Sequence, residues 1–187
     1  MDEELDYREF KSPDILHDFK CGVEVMDKFL HNPADLVQSL TDNECTAYTV
    51  HDAEGQLVGF FALNMDILDL DDDDREDLTH GYSRADAPSF KTEKEFEEFM
   101  SQPRFKVVDI AYLAVPKKLQ GRGIGTAIMN KIFDMAVSMN PDGLFITVDA
   151  LHLRDGSHSA VEFYEIFNFQ RILPPHGDTI RMYCTVK

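Results

Sequence analysis

An apolar strand, a glycine-rich turn and a long amphipathic helix follow one another in the second half of this 187-residue chain. The strand is predicted over residues 107–115, which are mostly β-branched or apolar and end at Pro116. The helix is predicted over residues 124–139, where apolar side chains recur along one face. The turn between them reads Gln-Gly-Arg-Gly-Ile-Gly. Glycines let backbone N–H groups approach a ligand, and a helix N-terminus favours an anion, so we expect a phosphate-bearing ligand here.

The turn differs from two common phosphate-binding motifs. Its third glycine is misplaced for the dinucleotide-binding fingerprint, and no acidic residue ends the following strand at the right distance. No Gly-Lys-Ser or Gly-Lys-Thr follows, which excludes a P-loop. From the residues alone, a loop that only connects two elements stays the alternative.

The rest of the chain predicts a mixed α/β (α+β) domain. A helical first segment and a β-hairpin precede the central strand, and further strands and a short helix follow the central helix. The predicted ranges are residues up to about 41 for the helical segment, 47–50 and 57–63 for the hairpin, 144–151 and 181–186 for the strands, and 159–167 for the short helix. At this length we expect one domain over residues 1–187.

Charge is distributed unevenly along the chain. There are 35 acidic and 18 basic residues, with a formal net charge of −17. Seven of the nine residues in 69–77 are acidic, which predicts a solvated acidic insertion at about 69–104, helical over 91–100. In contrast, residues 104–131 contain six basic residues and one acidic residue. The chain can therefore hold one compact polyanion, whereas its overall charge argues against nucleic acid as a partner.

Cysteine usage and the N-terminus favour a cytoplasmic protein. Cys21, Cys45 and Cys184 are far apart and lack metal-ligand spacing, so we expect reduced thiols and no metal. The opening Met-Asp-Glu-Glu has the wrong charge for a signal peptide, and no run of about 18 apolar residues predicts a membrane span. A homodimer is compatible with the sequence.

The strand end Leu113-Ala114-Val115, followed by Gln-x-x-Gly-x-Gly, resembles the signature of the GCN5-related N-acetyltransferase (GNAT) superfamily, whose members bind acetyl-CoA. The resemblance implies a mostly antiparallel sheet flanked by helices, with two splayed strands forming the acetyl-CoA slot. It implies that the turn holds the pyrophosphate and that the backbone of Val115 meets the pantetheine arm. The cofactor-binding residues implied in this segment are Leu113, Ala114, Val115, Gln120, Gly121, Arg122, Gly123, Ile124 and Gly125.

A second block, residues 160–169, resembles the superfamily's Ala-x-x-Phe-Tyr-x-x-x-Gly-Phe segment. The resemblance implies that Tyr164 binds near the CoA sulfur and protonates the leaving thiolate as general acid. The alternative is a tyrosine packed in the core. Two residues depart from the family pattern: Asn168 replaces a glycine, which a left-handed backbone tolerates, and Ser157 replaces an asparagine, so its hydrogen bond to CoA is less secure.

The candidate general base is Asp109, on the motif strand and in phase with Ala111, Leu113 and Val115. It occupies the position at which histone-type members of the superfamily carry a catalytic glutamate. Its apolar neighbours would raise the pKa of its carboxyl by desolvation. The alternative is a structural ion pair with Lys106 or with a loop residue.

Near the N-terminus, residues 19–22 (Phe-Lys-Cys-Gly) and 26–30 (Met-Asp-Lys-Phe-Leu) resemble the branch of the superfamily that includes toxins of toxin–antitoxin pairs. Cys21 is then a packing residue and not a nucleophile, so the acetyl group passes directly to the acceptor. We predict an acetyl-CoA-dependent N-acetyltransferase acting on a primary amine of a small molecule or peptide, for which a cationic acceptor fits the charge. The alternatives are a toxin acting on aminoacyl-tRNA and a non-catalytic acyl-CoA-binding or partner-docking module.

Overall fold

The computed structural model describes residues 5–87 and 90–186. Seven strands form one sheet in the order β1-β2-β3-β4-β5-β7-β6. The strands are β1 (Asp6–Glu9), β2 (Thr46–His51), β3 (Leu57–Asp69), β4 (Arg104–Ala114), β5 (Phe145–Leu151), β6 (Gln170–His176) and β7 (Thr179–Thr185). The helices are α1 (Glu24–Leu30), α2 (Pro33–Asp42), α3 (Asp72–Gly81), α4 (Glu93–Met100), α5 (Ile124–Met139) and α6 (Val161–Glu165). Within the described ranges, no helix is both long enough and apolar enough to cross a bilayer.

This architecture confirms the predicted fold class, a mixed α/β domain with a mostly antiparallel sheet. The pairs β1–β2, β2–β3, β5–β7 and β6–β7 are all antiparallel. The β2–β3 hairpin, strand β4 and helix α5 lie where the sequence predicts them. The expectation of a wholly helical first segment is wrong, because residues 6–9 form β1, which pairs with β2 at the sheet edge.

The chain divides into two compact units. The first consists of residues up to Asn64 together with Ile110–Met135. Its core lies beneath α1 and α2 and includes the fully buried Leu36 and Phe60. On β3, an added Cβ at Gly59 would stand 2.6 Å from the side chain of Ile128, so glycine allows α5 to lie close to the strand.

The second unit consists of Met65–Asp109 and Ala136–Lys187. Its core contains aromatic residues of three strands, Phe105, Phe145 and Tyr183. The insertion packs onto this core through Leu78 of α3 and Phe96 of α4, both of which are buried. The expectation of a solvated insertion is therefore wrong for its apolar residues, which form one side of an ordered helical layer.

Acidic residues begin both helices of the insertion. Asp71 caps α3 by accepting a hydrogen bond from the backbone N–H of Asp74, and the first turn of α3 contains three aspartates. Thr92 and Glu95 form a reciprocal capping box at the start of α4. Negative charge at a helix N-terminus is favourable, so the acidity of this segment stabilises its helices.

Asn168 has a left-handed backbone (φ 64°), which confirms the expectation that this residue takes the place of a glycine at the end of α6. We expect Asn168→Val to lower the free energy of unfolding by about 1–2 kcal/mol, because a β-branched residue tolerates this conformation poorly. Urea denaturation would measure the change. Asn168→Gly is the control, with a change below about 1 kcal/mol, since relief of strain and added chain entropy oppose each other. Equal losses for both variants would contradict this interpretation.

Candidate functional site

The glycine-rich turn lies in the first unit, between β4 and α5. Gly121 and Gly123 both have positive φ, 74° and 86°. A Cβ added at either position would meet no heavy atom within 4 Å, so the surface of the turn is open on that side. The carbonyl of Gly123 accepts a hydrogen bond from the N–H of Ala127 at 2.9 Å, which begins the ladder of α5. The turn therefore leads into the N-terminus of a 16-residue helix, with open space beside both of its positive-φ glycines.

Gln120 holds this turn in place. Its side-chain amide donates to the carbonyls of Val115, at 2.9 Å, and Cys21, at 2.8 Å. One residue thus ties the turn both to the end of β4 and to the N-terminal segment. The two motifs that the sequence presents about a hundred residues apart are joined by these bonds.

The segment around Cys21 is itself rigidly held. The carboxylate of Asp27 accepts hydrogen bonds from the backbone N–H groups of Cys21 and Gly22, at 2.7 and 3.1 Å. The Cys21 side chain is buried, and burial raises the pKa of its thiol to about 11. A thiol with that pKa stays protonated at neutral pH, which supports the predicted packing role.

Four further residues predicted to bind the cofactor lie along the same stretch of the first unit. Ala114, Val115 and Ile124 are buried, and Leu113 is half-buried. The buried side chains fix the backbone on both sides of the turn. Three cations, Lys117, Lys118 and Arg122, are exposed next to the turn. An open glycine backbone, a helix N-terminus and adjacent cations together suit a pyrophosphate group.

Asp109 lies in the second unit and is buried, with 7% of its surface exposed. Its Oδ1 accepts hydrogen bonds from Thr147 Oγ1 at 2.6 Å and from Arg181 Nη1 at 2.7 Å. Burial raises the pKa of the Asp109 carboxyl to about 6, even though Arg181 and Thr147 act to lower it. The sequence left open a structural ion pair of Asp109 with Lys106 or with a loop residue. The ion-pair partner of Asp109 is instead Arg181 on β7.

Arg181 and Thr147 are functional candidates that the sequence reasoning missed. Asp149 of β5 lies directly opposite Arg181 of β7 in the antiparallel register, and Thr147 lies two residues before Asp149 on the same face. The available signal was a charged residue inside each of two mostly apolar strands, Asp149 in residues 145–151 and Arg181 in residues 179–185.

Tyr164 lies in α6 and is buried, with 5% of its surface exposed. Burial, together with the negative charge of Asp109, raises the pKa of its phenol well above the ordinary value. Tyr164 therefore holds its proton throughout the neutral range. The structure brings the two predicted catalytic residues within electrostatic reach of each other in the second unit.

Ser157 is exposed and bonded locally. Its hydroxyl donates to Asp155 Oδ1 at 2.6 Å, and its backbone N–H donates to the same oxygen at 2.9 Å. The hydroxyl is therefore engaged in a tight turn. Its contact with CoA stays a prediction.

Comparison with known proteins agrees with this geometry. Residues 13–169 match the model of the acetyltransferase (GNAT) family, so the chain belongs to the GNAT family of acetyltransferases. This assignment confirms the predicted class, an acetyltransferase with acetyl-CoA as its co-substrate. No curated protein sequence matches the chain.

Solved structures with the same fold include bacterial toxins. A tyrosine-to-phenylalanine mutant of the toxin AtaT, bound to the C-terminus of the antitoxin AtaR and to acetyl-CoA, is 16% identical, with 98% of this chain and 94% of that chain covered and a TM-score of 0.64. A tyrosine-to-phenylalanine mutant of KacT is 14% identical, with 98% and 96% covered and a TM-score of 0.65. AtaT complexed with acetyl-methionyl-tRNAfMet is 18% identical, with 95% and 94% covered and a TM-score of 0.61. At these identities the likeness establishes the fold.

Proposed function

We propose that this protein transfers an acetyl group from acetyl-CoA directly to a primary amine of a small molecule or peptide. The observation that carries the proposal is the open glycine turn at the N-terminus of α5, anchored by Gln120 in a chain of the GNAT family. Acetyl-CoA supplies an activated thioester. The backbone N–H groups around Gly121 and Gly123 would hold its pyrophosphate, and the adjacent lysines and Arg122 would add positive charge.

Asp109 and Tyr164 are the proposed acid–base pair. The new bond joins the amine nitrogen to the acetyl carbon as the bond from that carbon to sulfur breaks. In this proposal the Asp109 carboxylate accepts the proton that the amine loses, and Tyr164 gives its phenolic proton to the departing sulfur. Asp109 later releases its proton to water and Tyr164 regains one. A carboxyl with a pKa of about 6 is ionised at neutral pH and still basic enough to assist.

The charge of the chain supports a cationic acceptor. A net charge of −17 attracts amines that carry further positive charge, such as polyamines or basic peptides. The same charge opposes a long nucleic acid, which several phosphate contacts would have to hold. An acceptor with two or more amino groups is therefore the first class to examine.

A second candidate is a toxin-type acetyltransferase that acts on aminoacyl-tRNA. The similarity in fold to AtaT, which has been solved with acetyl-methionyl-tRNAfMet, favours this candidate. The exposed cations beside the turn, Lys117, Lys118 and Arg122, are the residues available to contact phosphates.

A CoA-release assay distinguishes these functions. The purified protein is offered acetyl-CoA with a panel of monoamines, polyamines, basic peptides and charged tRNAs, and acetylated products are identified by mass spectrometry. We expect turnover with a polyamine or basic peptide at least ten times faster than with a monoamine of equal basicity. Turnover of charged tRNA alone, with growth arrest on expression, would replace the main proposal by the toxin function. Tight acetyl-CoA binding without turnover of any acceptor would indicate a non-catalytic module.

A further inference from the structure

Arg181 is the only cation that forms an ion pair with Asp109 within the described residues. Its Nη1 lies 2.7 Å from Asp109 Oδ1, and its Nη2 lies 2.6 Å from Asp66 Oδ2. Nη1 also lies 3.5 Å from Asp149 Oδ2. One guanidinium is therefore shared among three carboxylates, and its side chain is only 14% exposed.

The carboxylates around Arg181 differ in their access to water. The Asp109 side chain is 11% exposed, whereas those of Asp66 and Asp149 are 43% and 56% exposed. Asp109 is therefore the most buried of the three carboxylates, and desolvation acts most strongly on it. The Thr147 hydroxyl also donates to Asp109, and the charge of Asp109 in turn acts on the phenol of Tyr164.

We propose that Arg181 is a positioning residue that orients the Asp109 carboxylate and sets the pH above which it can accept a proton from the acceptor amine, with Asp66 opposing Arg181. This inference rests on the proposed function, in which Asp109 is the base. The guanidinium and the Thr147 hydroxyl both bond Oδ1, which leaves Oδ2 without a bond to either group and available to the substrate nitrogen.

Because Arg181 and Asp66 carry opposite charges, removing either one should shift the pKa of Asp109 in opposite directions. Removing the cation leaves Asp109 with desolvation and two negative neighbours, so its pKa rises and the base is lost at higher pH than in the native protein. Removing the charge of Asp66 has two effects in the other direction. It deletes a repelling anion, and it leaves Arg181 shared between Asp109 and Asp149 only, so the pKa of Asp109 falls.

The test measures kcat/KM against pH for the wild-type protein and for Arg181→Gln, Arg181→Lys and Asp66→Asn, with an amine whose own titration lies outside the range. The wild-type profile should rise through a pKa of about 6. Arg181→Gln should move this rise up by about one pH unit or more, the usual effect of an opposite charge at such distances. Arg181→Lys keeps the positive charge and should leave the rise close to its wild-type position. Asp66→Asn should move the rise to lower pH.

A second readout does not depend on turnover. Carbon-13 NMR of aspartate carboxyls in the protein without substrate follows the titration of Asp109 directly, with Asp109→Asn identifying its signal. Opposite shifts for Arg181→Gln and Asp66→Asn in this titration and in the pH profile support the proposal. Shifts of the same sign, or a loss of kcat with an unmoved profile, overturn it. If Arg181→Gln fails to fold, the other two variants still test the proposal. A rise that stays near the wild-type position in Arg181→Lys and moves to lower pH in Asp66→Asn supports it, and an unmoved rise in Asp66→Asn overturns it.

The two readouts separate this inference from the proposed function. If the NMR shifts are opposite but no amine is acetylated, the proposed function fails, and the catalytic role of Arg181 fails with it. Amine acetylation that persists in Asp109→Asn would leave the transferase activity standing and overturn the role of Arg181.

Discussion

Gly123→Glu is expected to weaken acetyl-CoA binding by about thirtyfold or more, as measured by isothermal titration calorimetry. A carboxylate about 4 Å from a pyrophosphate costs about 1–4 kcal/mol, depending on the local dielectric. A side chain at φ 86° adds about 1–2 kcal/mol of backbone strain. Each 1.4 kcal/mol corresponds to about a factor of ten in affinity, so a summed cost of about 2–6 kcal/mol weakens binding by about thirtyfold or more.

Gly55→Glu is the matched control for this variant. Gly55 lies in the β2–β3 hairpin of the same unit, has φ 78°, and also has no heavy atom within 4 Å of an added Cβ. The two variants therefore share strain and added charge, and differ in whether they lie at the turn before α5. Unchanged affinity in Gly123→Glu, or an equal loss in Gly55→Glu, would remove the turn as the pyrophosphate site.

Tyr164→Phe is expected to reduce kcat by about a hundredfold or more while leaving the Kd of acetyl-CoA within about twofold. The change removes only the hydroxyl, and general acid catalysis typically contributes about 10²–10⁴ in rate. Steady-state kinetics with the best acceptor measures the first quantity, and calorimetry measures the second.

The control for Tyr164→Phe is Tyr183→Phe, which also removes a hydroxyl from a buried ring of the second unit. The Tyr183 hydroxyl donates to Gln170 Oε1 at 3.1 Å and has no part in the proposed proton transfers. Its loss should leave kcat within about threefold. A similarly small effect in Tyr164→Phe would mean that water protonates the thiolate.

The elements predicted correctly are those with strong local signals. Helix α5 has five regularly spaced apolar residues and ends before Asn-Pro-Asp-Gly, so its bounds, Ile124–Met139, follow from nearby residues alone. The glycine turn is similarly local. Its resemblance to the GNAT signature predicted the family, and the match of the family model to residues 13–169 confirms this prediction.

The strands missed by the sequence reasoning are those at the sheet edges. β1 and β6 occupy the two ends of the strand order, and their residues are mostly exposed. An exposed edge strand needs no alternation of apolar and polar residues, so the period-2 signal is absent. Such strands form because a neighbouring strand offers backbone partners, which only the assembled sheet supplies.

The surroundings of Asp109 were beyond prediction for a related reason. Arg181 is separated from Asp109 by 72 positions in the sequence and from Asp66 by 115 positions. Local sequence identified the carboxylate as a candidate. Its partners depend on which strands are neighbours and in which register, and both result from long-range pairing. The catalytic roles of Asp109 and Tyr164 stay predictions.

Burial, and then the charge of Asp109, raise the pKa of Tyr164, so in the proposed roles the two proton transfers are linked. While Asp109 is ionised, its charge makes Tyr164 a weaker acid. Once Asp109 takes the proton of an amine, that charge is gone and Tyr164 becomes the stronger donor. In the proposed mechanism, the arrival of an acceptor amine therefore favours proton donation from Tyr164 to the departing thiol.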